Sequence, residues 1–409
     1  MKMKKIAFYQ PPLDIQGTGV SCFEYAYYNQ TLLGNKSFMI YDKDDHRSHP
    51  LAIKKFEDSP IETIAIEGSE RMDLLEKTLE RLNVDAVYIQ KCGKRNDGRF
   101  VNNKPMLIHV VGLENDPHGL VYAYVSEWSA QHCSDGWNTD VTSQVKRLMN
   151  DKTSSSLHIK ADNQTFGDTA RNIPKELYVE YLVDDEKVKL TASEGAALEI
   201  VVPASKRFAI IKAYYGPPAR FIQHPVVPYV ISLPDHNQNF RDRLNIPNRA
   251  TVFGRIGGFY SWDIPFAAHA VVEAVNSRED IYFVFVQTHK FIDHPRVLHI
   301  DPFADLNVKR QFINTCDAFL HARRVGESFG MAVAEFSICN KPVITYSGSP
   351  ERNHIYQLKD KGVYYTDYSS LLNILTTFKY DPNTDWNAYR EFTPQNVMKK
   401  FNEVFLEKL

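Results

Sequence analysis

Two glutamates, Glu327 and Glu335, stand eight residues apart in the stretch HARRVGESFGMAVAEFSICNKPVITY, His321 to Tyr346. Between them lies Ser328-Phe329-Gly330, where a helix should begin. Asn340, which tolerates the left-handed backbone region, then Lys341 and Pro342 stop that helix. Val343-Ile344-Thr345-Tyr346 follows as a buried strand, being β-branched and apolar. Loop, helix and strand in this order form an α/β unit whose helix N-terminus opens on the ligand side of a sheet. Free N–H groups and the helix dipole suit that end to an anion, typically phosphate. At about 1.5 Å rise per residue, eight residues span up to ~12 Å, the length of a ribose, a diphosphate and a sugar in a row. One carboxylate could hold hydroxyls at each end, with the helix N-terminus on the phosphates between. The competing reading is two glutamates on a solvated helix face; the capped helix and the strand behind it count against that.

The stretch resembles the signature of family 4 retaining glycosyltransferases of the GT-B type. Theirs is usually written E-G-F-G, then E-A-M-A and G-x-P-V; here the pieces are Glu327-Ser328-Phe329-Gly330, Glu335-Phe336-Ser337-Ile338 and Asn340-Lys341-Pro342-Val343. The resemblance implies that Glu335 holds the nucleotide ribose, that Glu327 meets the transferred sugar, and that the Phe329 and Gly330 amides meet the diphosphate. Arg255, on a loop with Gly257 and Gly258, stands where the family keeps a phosphate-binding arginine. The family adds a lysine five residues later, and this chain has Tyr260 there. Arg323 and Arg324 are the candidates to restore the charge, or they pair with nearby acids. The resemblance further implies retention of anomeric configuration by front-face attack, with no protein nucleophile.

The other candidate groups follow strands of an earlier α/β region. Ile6 to Tyr9 reads as a strand, the loop with Gly17 and Gly19 as a turn, and the run from Ser21 as a helix. Strands are expected at Ser37–Tyr41, Ile61–Ile66, Asp85–Gln90 and Pro105–Val111, with a helix at Arg71–Leu82. Such alternation argues for a parallel sheet, and ligands of open parallel sheets sit beyond the carboxyl ends of the strands. Gly17, Gly19, Lys91 and Asp97 are therefore acceptor-side candidates, and His118, beside Pro117 and Gly119, could orient an acceptor hydroxyl. Against this, charged turns are usually just solvated and a histidine beside proline and glycine is usually a turn residue.

From Ser134 the pattern changes: one short helical pattern, DVTSQVKRLMN, then β-rich runs broken by polar turns, with no helix pattern between those runs. This predicts an antiparallel, sandwich-like insert at 134–218. The first domain is then 1–133, completed by a helix at 394–409, and the second α/β domain is 219–393. The fold expected is α/β, two Rossmann-like domains (GT-B) facing a cleft, with the β insert added.

Composition limits the partners. The 409 residues carry a formal net charge of −2, which gives no general pull toward nucleic acid. The five cysteines show no C-x-x-C pairing, which fits a reducing, cytoplasmic setting. The start MKMKKIAFYQPPL lacks the apolar run of a signal peptide. No D-x-D pair stands beside a basic loop and His289, His294 and His299 lack metal spacing, so neither a metal nor another cofactor is expected. The expected partners are a nucleotide sugar and a carbohydrate or glycoconjugate acceptor. Peripheral membrane contact, and a protein or glycan ligand for the insert, stay open. The alternatives to glycosyl transfer are a nucleotide-sugar epimerase of the same architecture and a degenerate, non-catalytic binding protein.

Overall fold

The computed structural model describes residues 2–133, 139–150, 156–167, 174–201, 206–216 and 224–409. The chain forms two compact units. The larger takes Met1–Gly112, His118–Gln131 and Pro225–Leu409; the smaller takes Leu113–Pro117 and His132–His224.

The larger unit opens with six parallel strands: β1 (Lys5–Tyr9), β2 (Lys36–Asp42), β3 (Glu62–Ile66), β4 (Ala86–Lys91), β5 (Met106–Val110) and β6 (Val121–Tyr124). Their order is β3-β2-β1-β4-β5-β6. Strands β1, β2, β4 and β5 are almost wholly buried, as expected of a parallel sheet covered on both faces. Helices α1 (Gly17–Thr31), α2 (Pro50–Glu57), α3 (Arg71–Arg81) and α4 (Glu127–His132) accompany them. Helix α1 corrects the expected glycine turn: Gly17 and Gly19 lie in its first turn. A Cβ on Gly19 would stand 2.1 Å from the Asp14 carbonyl oxygen, so close packing requires that glycine.

The smaller unit contains β7 (Thr139–Asp140), α5 (Thr142–Asn150), β8 (Ser156–Lys160), α6 (Asn163–Phe166), β9 (Glu176–Val183), β10 (Glu186–Ser193), β11 (Ala197–Val201) and β12 (Phe208–Gly216). Its strands pair antiparallel in a four-stranded sheet, β10-β9-β12-β7, and a two-stranded one, β11-β8. Val145, Ile159, Leu177, Val179, Ile200, Ala213 and Tyr215 share its core. The expectation of no helix among these strands fails at α6. There Asp162, read as a turn residue, accepts the Thr165 N–H at 2.9 Å and caps a short helix instead. The expected insert edges, 134 and 218, lie outside the described residues.

The larger unit resumes with β13 (Thr251–Ile256), α7 (Ala267–Ser277), β14 (Ile281–Val286), β15 (Val297–Ile300), α8 (Leu306–Thr315), β16 (Ala318–His321), β17 (Gly326–Glu327), α9 (Met331–Ile338), β18 (Val343–Tyr346), β19 (Glu351–Arg352), α10 (Asn353–Leu358), β20 (Gly362–Tyr365), α11 (Tyr368–Thr377) and α12 (Pro394–Val404). The second six-stranded sheet runs β15-β14-β13-β16-β18-β20, again all parallel. Each sheet thus repeats one order, with its crossover reversing between the first and fourth strands, the place where doubly wound folds bind ligands. Asn340 ends α9 in the left-handed region, at φ 55°. Helix α12 packs on the first sheet: the Phe401 ring lies 5.2 Å from Tyr25 and 5.6 Å from Tyr88.

Candidate functional site

A cavity of about 520 Å³ opens between the carboxyl ends of the two six-stranded sheets. The first domain contributes Gln16, Gly17 and Thr18 at the start of α1; the second contributes the loop after β13 and most of the stretch from His321 to Ala332, with Glu335.

Glu335, on α9, is buried, and its Oε1 lies 2.7 Å from the Lys309 ammonium of α8. Lys309 comes three and four residues before Phe312 and Ile313, on the buried face of an amphipathic helix. A lysine on such a face needs an anionic partner, and Glu335 is it. The facing domain adds a second pair nearby, Lys55 at 3.5 Å from the buried Glu24 carboxylate.

Glu327 lies at the other end of the loop. The Nε2 of His321 is 3.2 Å from its Oε1, and Arg323 Nη1 is 2.9 Å from its Oε2. A carboxylate only accepts, so Nε2 carries the proton and Nδ1 faces the Thr345 hydroxyl at 2.8 Å. Burial raises the pKa of Glu327, but the His321 hydrogen bond and the Arg323 charge outweigh it and hold the group down to about 2. It is an oriented, ionised carboxylate. Behind it His354 is fully buried, its ring 5.0 Å from His321, and neither ring nitrogen has a hydrogen-bond partner. Burial, then the neighbouring His321, lowers its pKa to about 3, so the ring is neutral.

Between the glutamates, Gly330 adopts φ 91° and ψ 65° and serves as the N-cap of α9. Only glycine takes that backbone region without strain. Ser328, Phe329 and Gly330 all line the cavity.

Arg255 lines the cavity wall but is nearly buried. Its Nη1 faces the Val286 and Gln287 carbonyls at 3.1 and 2.8 Å and the Thr288 hydroxyl at 2.5 Å. Its Nη2 donates to the Gly258 carbonyl at 2.8 Å and the Ser261 hydroxyl at 2.7 Å. The guanidinium therefore staples the loop of Gly257 and Gly258 to the end of β14. Sequence reasoning assigned it to phosphate; here its Nη groups serve the protein. Burial lowers its pKa to about 10.

The other candidates divide. Gly17, Gly257, Gly258 and Arg323 line the cavity with both glutamates. Arg323 is spent on Glu327. Arg324 is exposed and outside the lining; its backbone N–H meets Asp263 Oδ1 at 2.6 Å. Gly19 is packed against Asp14. Lys91 is buried in a 2.7 Å ion pair with Asp97, and neither lines this cavity. His118 lies with its ring 6.4 Å from Phe100 and 5.6 Å from Tyr122, also outside the lining, because the turn it occupies folds back onto the sheet. Lys309, His321 and His354 were not singled out. Lys309 had a signal in its position on an apolar helix face; His321 had one in ending a strand on the ligand side.

No family model matches this chain, and no curated protein does. Solved structures do share its fold. Anabaena HepE, crystallised with UDP-glucose, superposes at a TM-score of 0.57 with 13% identity, over 99% of this chain and 100% of its own. A glycosyltransferase from Rickettsia africae ESF-5 gives 0.55 at 12% identity, over 100% and 99%. AviGT4, a glycosyltransferase involved in avilamycin A biosynthesis, gives 0.50 at 12% identity, over 99% and 97%. The likeness establishes the fold, two Rossmann-like domains facing a cleft.

Proposed function

We propose that this chain is a glycosyltransferase that moves a sugar from a nucleoside diphosphate to an acceptor hydroxyl, with retention of configuration. The observation that carries the proposal is the joining of Glu327 and Glu335 in one cleft by the Ser328–Gly330 loop and the N-terminus of α9, on a fold shared with glycosyltransferases. In this reading the free Oε2 of Glu335 takes a ribose hydroxyl while Lys309 holds Oε1. The loop amides take the diphosphate. Glu327, oriented by His321 and Arg323, takes a hydroxyl of the transferred sugar. Neutralising a departing diphosphate without a required metal falls to the amides and the α9 dipole. The acceptor enters from the side of Gly17.

A second reading, a nucleotide-binding protein without turnover, is favoured by Arg255, whose Nη groups already serve protein acceptors. One experiment separates the two. A panel of nucleotide sugars is incubated with the protein, with and without carbohydrate acceptors, and binding and nucleoside diphosphate release are both followed. Release that requires acceptor supports transfer; interconversion of the donor sugar without acceptor indicates an epimerase. Binding without release supports the second reading. No binding to any nucleoside diphosphate sinks all three.

A further inference from the structure

The loop between the two glutamates is gripped from behind. The Ser328 carbonyl accepts the Ser126 hydroxyl at 2.7 Å and the Ser129 hydroxyl at 3.2 Å. The next carbonyl, that of Phe329, accepts Asn353 Nδ2 at 2.8 Å. Ser126, Ser129 and Asn353 are 3%, 0% and 0% exposed, so water does not compete for these bonds. None of the three lines the cleft, whereas Ser328, Phe329 and Gly330 do.

Peptide geometry gives this grip a directional consequence. A trans peptide is planar, and its C=O and N–H point opposite ways. Holding the Ser328 carbonyl fixes the direction of the Phe329 N–H. Holding the Phe329 carbonyl fixes that of the Gly330 N–H. Among the described residues neither N–H has a protein acceptor. Gly330 then turns through the left-handed region and α9 begins, adding the unpaired N–H groups of its first turn. Successive N–H groups on such a turn form an anion-binding concavity.

The three side chains have different origins. Asn353 opens α10 of the second domain. Ser126 and Ser129 belong to the start of α4 in the first. Ser126 Oγ also accepts the Ser129 N–H at 3.0 Å, an ordinary helix cap. Capping explains that bond alone. It does not require the Ser129 hydroxyl, nor that both hydroxyls meet a carbonyl of the other domain.

We infer that Ser126, Ser129 and Asn353 are positioning residues, which aim the Phe329 and Gly330 N–H groups at the diphosphate of a bound nucleotide. The two serines make that aim depend on the first domain being seated against the loop. The identity of the ligand as a nucleoside diphosphate rests on the glycosyl-transfer reading; the aiming of the amides does not.

The test uses inorganic pyrophosphate as probe, titrated into the full-length protein by calorimetry at low salt. The variants are Ser126→Ala/Ser129→Ala, Asn353→Ala and the hydroxyl-retaining Ser126→Thr. The double serine variant and Asn353→Ala should each weaken pyrophosphate binding about tenfold, the scale of one charge-assisted hydrogen bond, with Ser126→Thr within about threefold of wild type. A purely structural role would lower the melting temperature and leave the dissociation constant of the folded protein unchanged, which would overturn the inference. So would a wild-type protein that does not bind pyrophosphate. Should the double serine variant fail to fold, Asn353→Asp, which turns a carboxylate toward the Phe329 carbonyl at unchanged size, carries the same expectation. Pyrophosphate binding that depends on these side chains, in a protein that turns over no nucleotide sugar, would sink the glycosyl-transfer reading and leave the inference standing.

Discussion

Lys309 and Glu335 meet at 2.7 Å, their side chains 10% and 7% exposed, one on α8 and the other on α9. The contact occupies one carboxylate oxygen and leaves the other for a ligand. A buried pair of this kind contributes little net stability, but losing one partner leaves a buried charge alone.

Lys309→Met and Glu335→Gln should therefore each cost about 3 kcal/mol in urea unfolding, and the double variant should recover most of that loss. Nucleoside diphosphate affinity should fall ten- to hundredfold in both variants lacking the carboxylate, the recovered double included, given about 1.5–3 kcal/mol for a charge-assisted hydrogen bond. Additive stability losses would mean that the pair is not coupled. Unchanged affinity would remove Glu335 from the site.

Glu327→Gln should keep nucleoside diphosphate affinity within a few-fold and lower turnover strongly, since the change falls at the sugar end of the cleft. It also leaves Arg323 without its charged partner. Loss of nucleotide affinity equal to the loss of turnover would show that Glu327 serves the nucleotide instead.

Arg255→Lys keeps the charge and loses the fork. A lysine cannot bridge the Val286, Gln287 and Gly258 carbonyls together. A stability loss of about 2–4 kcal/mol is expected, at about 1 kcal/mol for each hydrogen bond lost. Donor turnover should fall with it, as the loop of Gly257 and Gly258 loosens. A variant as stable as wild type would contradict the stapling role.

EDTA should leave transfer unchanged, because the proposed neutralisation uses amides and a helix dipole. Activity that disappears in EDTA and returns with Mn²⁺ or Mg²⁺ would overturn that part of the proposal.

His354 sets a pH dependence. Burial and His321 lower its pKa from 6.5 to about 3. Between those values the unfolded chain binds a proton that the folded protein does not. The contribution is full above pH 6.5 and is lost as pH falls toward 3, at about 1.4 kcal/mol per unit. The buried His109, also lowered to about 3, acts in the same sense. His354→Phe loses no hydrogen bond, since both ring nitrogens lack partners, and should narrow the difference in melting temperature between pH 7 and pH 5. An unchanged difference would mean that the ring does not resist protonation.

Strands were legible because parallel strands buried on both faces read as apolar runs, as in Ile6 to Tyr9 and Ile281 to Val286. The glutamate loop was legible because its glycine and helix stop are local. What could not be read is what depends on distant neighbours. Helix α1 starts at Gly17 against glycine's helix propensity, and within its first turn it is Gly19 that packs against the Asp14 carbonyl. The partners of Arg255 are mostly backbone carbonyls around the ends of β13 and β14, and carbonyls leave no trace in residue identity. Lys91 and Asp97 read as acceptor-side candidates on a charged turn, and instead pair with each other, the lysine buried.

The packing of α12 on the first sheet bears on how the chain folds as it is made. Phe401 and Phe405 lie against Tyr88, at 5.6 and 5.7 Å, yet are synthesised more than 300 residues after it. At about 5–20 residues per second, the nascent first domain waits about 15 to 60 s for rings that complete its own interior. Until α12 is made, the faces of Phe8, Tyr25 and Tyr88 that meet the Phe401 ring lack that cover.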